Sequence, residues 1–247
     1  MELVTVIIPY FKKKRFIKSS LKSAMQQSYK NLEIIIVYDD FDTKDLNYIK
    51  KLSYSDKRIK LIINSKTMGA GISRNIGIKK SKGIFISFLD SDDIWHKDKT
   101  KYQIDYMKNK NYLISHTSYK IINENKKVKA IRRARNFDNF SDLLKSCDVG
   151  LSSVIIKKKI LTKNYLFPDL KTKEDFVLWL KILRKGIKIG SLDKELMFWR
   201  KLDNSLSSSI LQKILDGFRV YRTYMKFNSV KSLYYLICLS LNYLNKN

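Results

Sequence analysis

The sequence predicts an α/β fold: a mixed, mainly parallel sheet flanked by helices, with a helical extension at the C-terminus. Three observations predict it. From Val4 to Leu89, short continuous apolar runs alternate with amphipathic segments at helical spacing, the pattern of βαβ units whose strands are covered on both faces. Two of these runs end abruptly in carboxylates, one at Asp39 and Asp40, the other at Asp90, Asp92 and Asp93. That puts the acids at the carboxyl edge of a parallel sheet, where open α/β sheets bind ligands. With two prolines and eight glycines in 247 residues, few breakers interrupt regular structure.

Val4 to Pro9 is a continuous apolar run closed by proline, a first buried strand. A helix follows over Phe16–Gln27, because Ile17, Leu21, Ala24 and Met25 recur on one face. Leu32–Tyr38 is the second strand; Leu46, Ile49 and Leu52 mark the next helix, and Ile59–Ile63 the third strand. Thr67 to Gly83 opens as a glycine-rich turn and becomes a helix carrying Ile72, Ile76 and Ile78. Gly69, Gly71 and Gly77 lack GxGxxG spacing and follow the third strand instead of the first, which disfavours a dinucleotide site. They serve better to bring the backbone, Arg74 and Asn75 close to a bound nucleotide. The stretch GIFISFLDSDDIW, Gly83–Trp95, organises the rest. Ile84, Ile86, Phe88 and Leu89 make a buried strand that cannot hold three clustered anions inside it. Hard oxygen donors at its end suit a divalent cation carrying a phosphorylated substrate.

Beyond Trp95 a helix over Asp98–Lys108 presents Tyr102 and Tyr106, and Tyr112–Ile122 reads as a strand. Asn123–Arg135 is a basic hairpin or loop, suited to a phosphate or lipid headgroup or simply solvated. Phe140, Leu143 and Leu144 indicate a short helix, and Leu151–Ile156 another strand. Lys173-Glu174-Asp175 immediately precedes an amphipathic helix with Phe176, Val177, Leu180 and Leu183 on its buried face and Gly186 as its stop. Glu174 and Asp175 thus stand at a helix N-terminus, where the dipole stabilises an anion, as caps or as a base. Ile187–Leu192 and Leu196–Arg200 read as two strands, and Ser205–Ser209 as a polar loop. Leu211, Ile214, Leu215, Phe218 and Met225 trace a helix with Lys213, Arg219 and Arg222 on its other face. Val230–Leu244 is apolar nearly all round and rich in tyrosine, a helix for a partner or a bilayer interface. The division is therefore a domain over 1–205 and helices over 206–247.

The chain carries 50 Lys and Arg against 23 Asp and Glu, a formal charge of +27, which calls for an anionic partner. No nucleic-acid-binding motif is present and the cations are spread along the whole chain. This argues against nucleic acid and for an anionic membrane surface. Cys147 and Cys238 lie in separate apolar settings, two thiols of a reducing compartment. MELVTVIIPYF reads as a strand and not a signal peptide, and no apolar run reaches the about 18 residues of a span.

Taken together these motifs resemble glycosyltransferase family 2 enzymes of the GT-A fold, bacterial surface-polysaccharide transferases in particular. VTVIIPYFKK, EIIIVYDD, GAGISRNIGI, FLDSDDIW, KEDFVLWLKI and FWRKLDNSLS resemble, in order, that family's opening strand, nucleotide-reading strand, diphosphate-side helix, DxD segment, ED segment and aromatic-Arg segment. The resemblance covers roughly residues 3–205. It implies an inverting transferase moving a sugar from a nucleotide-sugar, a UDP-sugar in the first instance, to a hydroxyl of a lipid-linked or oligosaccharide acceptor. By position, Asp39 would read the uracil edge, Pro9 and Phe11 would wall the base, and Arg74, Ser91 and Arg200 would line the donor. Asp92 would hold a divalent metal, Mn2+ or Mg2+, with Asp90 on the ribose or a metal-bound water and Asp93 in support. Asp175 would be the base, with Glu174 beside it. Phe41 and Asp42 depart from the family's usual Gly-Ser pair. The implied setting is the cytoplasmic face of a bacterial inner membrane. The rival readings are a nucleotidyl- or phosphate-handling enzyme, which would need a phosphate cradle, and a non-catalytic membrane- or polyanion-binding module.

Overall fold

The computed structural model describes residues 1–202 and 210–244. The boundary expected between residues 205 and 206, and the loop expected at Ser205–Ser209, lie outside the described residues. Strands β1 (Val4–Tyr10) and β2 (Leu32–Tyr38) are buried at all seven positions each, the one acid among them, Glu33, being paired with Thr5 and Lys60. β3 (Ile59–Ile63) and β4 (Phe85–Phe88) complete a parallel half-sheet in the order β3-β2-β1-β4. The intervening helices are α1 (Lys14–Met25), α2 (Thr43–Ser53) and α3 (Ala70–Lys80). Alternate strand residues feed opposite layers. Ile7, Ile35 and Phe88 pack into one core with α3, while Val6, Ile8, Ile34 and Ile36 pack into the other with α1 and α2. Gly77 lets α3 sit on β1, since a Cβ there would lie 2.6 Å from Ile7 Cγ2.

The second half of the sheet is mixed. β5 (Ile94–Trp95), α4 (Lys99–Asn109), β6 (Ile114–Ile122) and β7 (Val128–Arg132) follow, then α5 (Phe140–Leu144), β8 (Ile155–Lys157), α6 (Glu174–Arg184) and β9 (Gly190–Arg200). The path continues β4-β8-β6-β9-β5, with β8 antiparallel to both β4 and β6, β9 parallel to β6, and β7 paired with β6 as a hairpin.

Three expectations are corrected here. Leu151–Ser153 is a 3₁₀ turn and not strand, because the Ser153 hydroxyl donates back to Gly150 O at 2.6 Å and offers the backbone a local alternative. Ile187–Leu192 and Leu196–Arg200 are not two strands. β9 runs through them, and register shifts at Thr117, Ser118 and Tyr119 of β6 absorb the irregularity. The first helix begins at Lys14 and ends at Met25.

At the C-terminus α7 (Ile210–Arg219) passes through a π-helical turn, Val220–Tyr224, into α8 (Ser229–Leu244). Val220, Tyr221, Met225, Leu236 and Leu239 join the same core as α6. α7 turns Asp216 and Gly217 inward and leaves Leu211, Ile214 and Leu215 exposed. Periodicity shows which residues share a face, not which way that face points. Here Asp216 decides, its buried carboxylate accepting from both N and Oγ1 of Thr172 at 3.0 Å.

Candidate active site

After β4 the chain turns tightly, with Asp93 N donating to Asp90 O at 3.0 Å and Asp90 N held by Ser152 Oγ at 3.0 Å. The three acids of this turn have different surroundings. Asp90 is half-exposed and accepts from Arg74 Nη2 at 2.7 Å, and Asp92 pairs with Lys13 Nζ at 2.9 Å. Asp93 is buried and accepts from Arg200 N at 2.9 Å. Burial, followed by the Asp92 and Asp90 charges, pushes its carboxyl well above the ordinary range. Burial and the Asp90 charge also raise Asp92. Ser91 is buried within the turn.

Arg200 closes this loop from behind. Its Nε donates to Asp92 O at 2.9 Å, its Nη1 to Glu124 O at 2.8 Å, and its guanidinium stacks 4.9 Å from the Phe16 ring centre. These contacts tie the acid turn to the tip of the β6–β7 hairpin, where Arg15 also pairs with Glu124. Arg200, expected to line the donor, thus spends its donors on backbone carbonyls.

One guanidinium joins the two acid motifs. Arg74, at 4% side-chain exposure, donates through Nη2 to Asp90 and through Nη1 to Glu174 Oε1 at 2.7 Å. Burial alone would lower its pKa; the Asp90 and Glu174 charges override that and raise it. Glu174 and Asp175 open α6 after Lys173, whose backbone is left-handed (φ 66°). Gly71 admits this approach, since a Cβ there would stand 3.2 Å from Glu174 Cγ and 3.0 Å from Pro168 O. Burial raises Glu174 to about 7 against the pull of Arg74. Asp175 is raised for the same first reason, and its Oδ1 accepts from Phe176 N at 2.8 Å. Arg74 thus brings Asp90 and Glu174, 84 positions apart in sequence, to one guanidinium.

On the nucleotide side, Pro9 is buried near the end of β1 and Phe11 is half-exposed just beyond it, with Lys12 Nζ 5.2 Å from its ring centre. Asp39 is buried and taken: it accepts from Asn64 Nδ2 at 2.7 Å and from Met68 N and Gly69 N at 2.8 Å each. The residue expected to read a base therefore shapes the turn into α3. Its neighbour Asp40 faces the other way, to Lys12 N at 3.1 Å. Asp42, in the departing Phe41-Asp42 pair, caps α2 by accepting from Lys44 N and Asp45 N, so it performs a serine's task there.

Among the described residues no three of His, Cys, Asp and Glu gather into a metal-holding set. Of the expected trio of Asp90, Asp92 and Asp93, Asp93 is turned into the protein by Arg200 N and Ser152, which leaves Asp90 and Asp92 as the pair with partly exposed carboxylates. The pair fits a divalent cation. Two hard-oxygen carboxylates stand close enough for the charge of one to raise the pKa of the other, and a diphosphate would supply the remaining oxygen ligands.

Sequence reasoning missed Lys13, Ser152 and Lys99. Lys99 is fully buried 4.2 Å from the Trp95 ring centre, and Trp95 Nε1 donates to Ser152 O at 2.7 Å. Lys13 carries no sequence signal in so basic a chain. Lys99 sits at the start of a helix otherwise read by its tyrosines.

A parallel half-sheet with acids along its carboxyl edge, backed by a mixed half-sheet and faced by a helix whose N-terminus carries two more, defines the GT-A fold of nucleotide-sugar transferases. A sequence model described as Glycosyl transferase family 2 matches residues 5–167, and the chain belongs to that family. It is 35% identical over 240 residues to an Escherichia coli protein named UDP-Glc:alpha-D-GlcNAc-diphosphoundecaprenol beta-1,3-glucosyltransferase WfaP, covering 97% of this chain and 92% of that one. It is 36% identical over 196 residues to an uncharacterized glycosyltransferase of Rickettsia conorii, covering 78% of this chain. The chain spans 32% of that relative's length. The solved structure of S. aureus TarS residues 1–349 in complex with UDP-GlcNAc has the same fold, with a TM-score of 0.76 at 20% identity over 96% of this chain and 70% of that one. The family match stops before Glu174 and Asp175, which the site brings in through Arg74.

Proposed function

We propose that this chain is an inverting glycosyltransferase that moves a hexosyl group from a UDP-sugar to a hydroxyl of a saccharide carried on a lipid diphosphate. The observation that carries the reading is the Arg74 bridge, which holds the acid turn and the start of α6 on the two sides of one site. The 35% identical E. coli relative, named for UDP-Glc and a diphosphoundecaprenol acceptor, supports UDP-glucose as the first donor to try. Asp90 and Asp92 would hold Mg2+ or Mn2+. When bound, that ion supplies Lewis-acid stabilisation of the charge that grows on the departing diphosphate.

The chain's own groups do the rest. Asp175 accepts the acceptor hydroxyl's proton as the new bond forms, and the burial that raises its pKa makes it a stronger base. The Phe176 N–H holds its other oxygen, fixing the carboxylate's direction. Arg74 keeps Glu174 beside it oriented and partly ionised. Single displacement from the face opposite the diphosphate inverts the anomeric carbon, giving a β-linkage from an α-linked donor. Asp39 and Asp40, side by side at the end of β2, are the two carboxylates offered for reading the base, each oriented by backbone N–H groups, Met68 and Gly69 for Asp39 and Lys12 and Phe41 for Asp40. A lipid-borne acceptor sets the reaction at the cytoplasmic face of a bacterial inner membrane.

The test is Asp175→Asn assayed with UDP-glucose and a GlcNAc-diphospholipid. Turnover falls by about a hundredfold or more, the range of general-base removal, while donor affinity stays within a factor of about three. Equal losses of both would overturn Asp175 as the base.

A further inference from the structure

We infer that the outward face of α7 and α8 is the surface by which the chain seats on an anionic lipid bilayer. This deepens the proposed function and rests on it for the choice of a lipid over a protein. The two helices are antiparallel neighbours, with Gly217 against Leu236 and Lys213 Nζ 5.2 Å from the Tyr243 ring centre. Their inward residues, Val220, Leu236 and Leu239, fill the core. Outward stand Leu211 and Leu215 of α7 and Val230, Leu233, Ile237 and Leu241 of α8, all exposed, Val230 at 81%. On α8 these positions step by three and four, so they form one stripe along the helix. Side chains left in water on two adjacent helices make a contiguous apolar patch of the kind that marks an interaction surface.

The charge around the patch selects its occupant. Over 210–244 the cations are Lys213, Arg219, Arg222, Lys226 and Lys231, and the one acid, Asp216, is buried against Thr172 and paired with Arg219, which leaves four cations without an acid in this segment. A second copy would bring the same basic rim and another +27 against it, whereas anionic headgroups neutralise it. α8 has 16 residues, about 24 Å at 1.5 Å per residue, short of the ~30 Å hydrocarbon core. No described helix is long and apolar enough to cross a membrane, so α8 would lie in the interface with Lys231 reaching the headgroups.

The seat is tied to the chemistry. Asp216 holds Thr172, three residues before Asp175, and Tyr221 Oη and Asn242 Nδ2 donate to the α5 end at Leu144 O and Lys145 O. A bilayer under α7 and α8 would therefore stand beside the acceptor side of the site.

The test uses the full chain with vesicles of phosphatidylcholine alone and vesicles also containing phosphatidylglycerol, read by flotation. Binding is expected to the anionic vesicles, to weaken as salt rises, and to fall by about a hundredfold in Leu233→Glu/Ile237→Glu, from lost apolar burial and added repulsion. Both positions are exposed, so circular dichroism should match the parent, as should UDP-sugar hydrolysis without lipid. The inference is overturned if the parent stays unbound, if the variant floats like the parent, or if the parent is a dimer that the variant dissociates. Vesicle binding with no turnover on any donor would leave the surface standing and sink the proposed transfer.

Discussion

Replacing Arg74 with methionine tests whether one buried cation holds the two acid motifs together. Its two ion pairs differ in weight. Asp90 is 35% exposed and screened by water, so that half contributes at most ~1 kcal/mol. Glu174 is 11% exposed, and removing one partner of so buried a pair costs about 3–5 kcal/mol by stranding the other charge. The loss depends on pH in a definite sense. Glu174 titrates at about 7 in the fold against 4.5 as a free side chain. An acid whose folded pKa is raised gives stability that is fully present below the unfolded value and is lost as pH rises through the folded one. Arg74 pulls that folded value down, so Arg74→Met lifts it and extends the decline above pH 7. Near pH 5 Glu174 is protonated in both folded proteins, and the variant's deficit shrinks to packing and the Asp90 contact, about 1 kcal/mol. Near pH 9 it opens to about 3–5 kcal/mol. Urea titrations of both proteins at the two pH values read this directly, and Glu174→Gln in the variant background should recover most of the high-pH deficit. Equal deficits at both pH values, or no recovery with glutamine, would refute the charge coupling and leave Arg74 a packing residue.

Lys99→Met replaces a buried amine whose pKa burial lowers well below the ordinary value. The unfolded chain binds the extra proton, so the parent gains stability as pH rises toward 10.5 and the variant does not; melting temperatures at pH 7 and pH 9 show the variant ahead at the lower value and the gap narrowing at the higher. Gly77→Ala drives a Cβ to 2.6 Å from Ile7 Cγ2 and costs about 1–3 kcal/mol of overpacking, read by urea midpoint. Asp92→Asn weakens metal-dependent donor binding by about tenfold or more; in a Mn2+ titration followed by calorimetry with UDP-glucose, an unchanged Mn2+ midpoint would remove Asp92 from the metal pair.

The parallel half of the sheet was legible because its strands are runs dominated by β-branched and other apolar residues, with Glu33 of β2 held by Thr5 and Lys60. β2 and β3 have the very limits their apolar runs mark, Leu32–Tyr38 and Ile59–Ile63. The carboxyl-edge position of the clustered acids followed because a buried strand interior takes an acid only with dedicated partners, as Glu33 has in Thr5 and Lys60. What each acid faces did not follow. Asp39 and Asp40 are adjacent, yet one serves the turn before α3 and the other the turn before α1. The partners that turn Asp93 inward, Ser152 and Arg200, stand 59 and 107 positions away, a separation no local pattern encodes.

α7 was legible as a helix and illegible as to its burial, because hydrophobic periodicity predicts an inward apolar face only when water is the sole alternative. Here Asp216 occupies the inner side, satisfied by two donors from Thr172, and the leucines are turned out. A buried carboxylate beneath an exposed apolar stripe is costly in water on both counts. The arrangement becomes favourable once the outer face meets hydrocarbon and the inner acid fastens that face to the segment carrying Asp175. On the inferred bilayer seat, the local rule fails because it assumes water at the outer face.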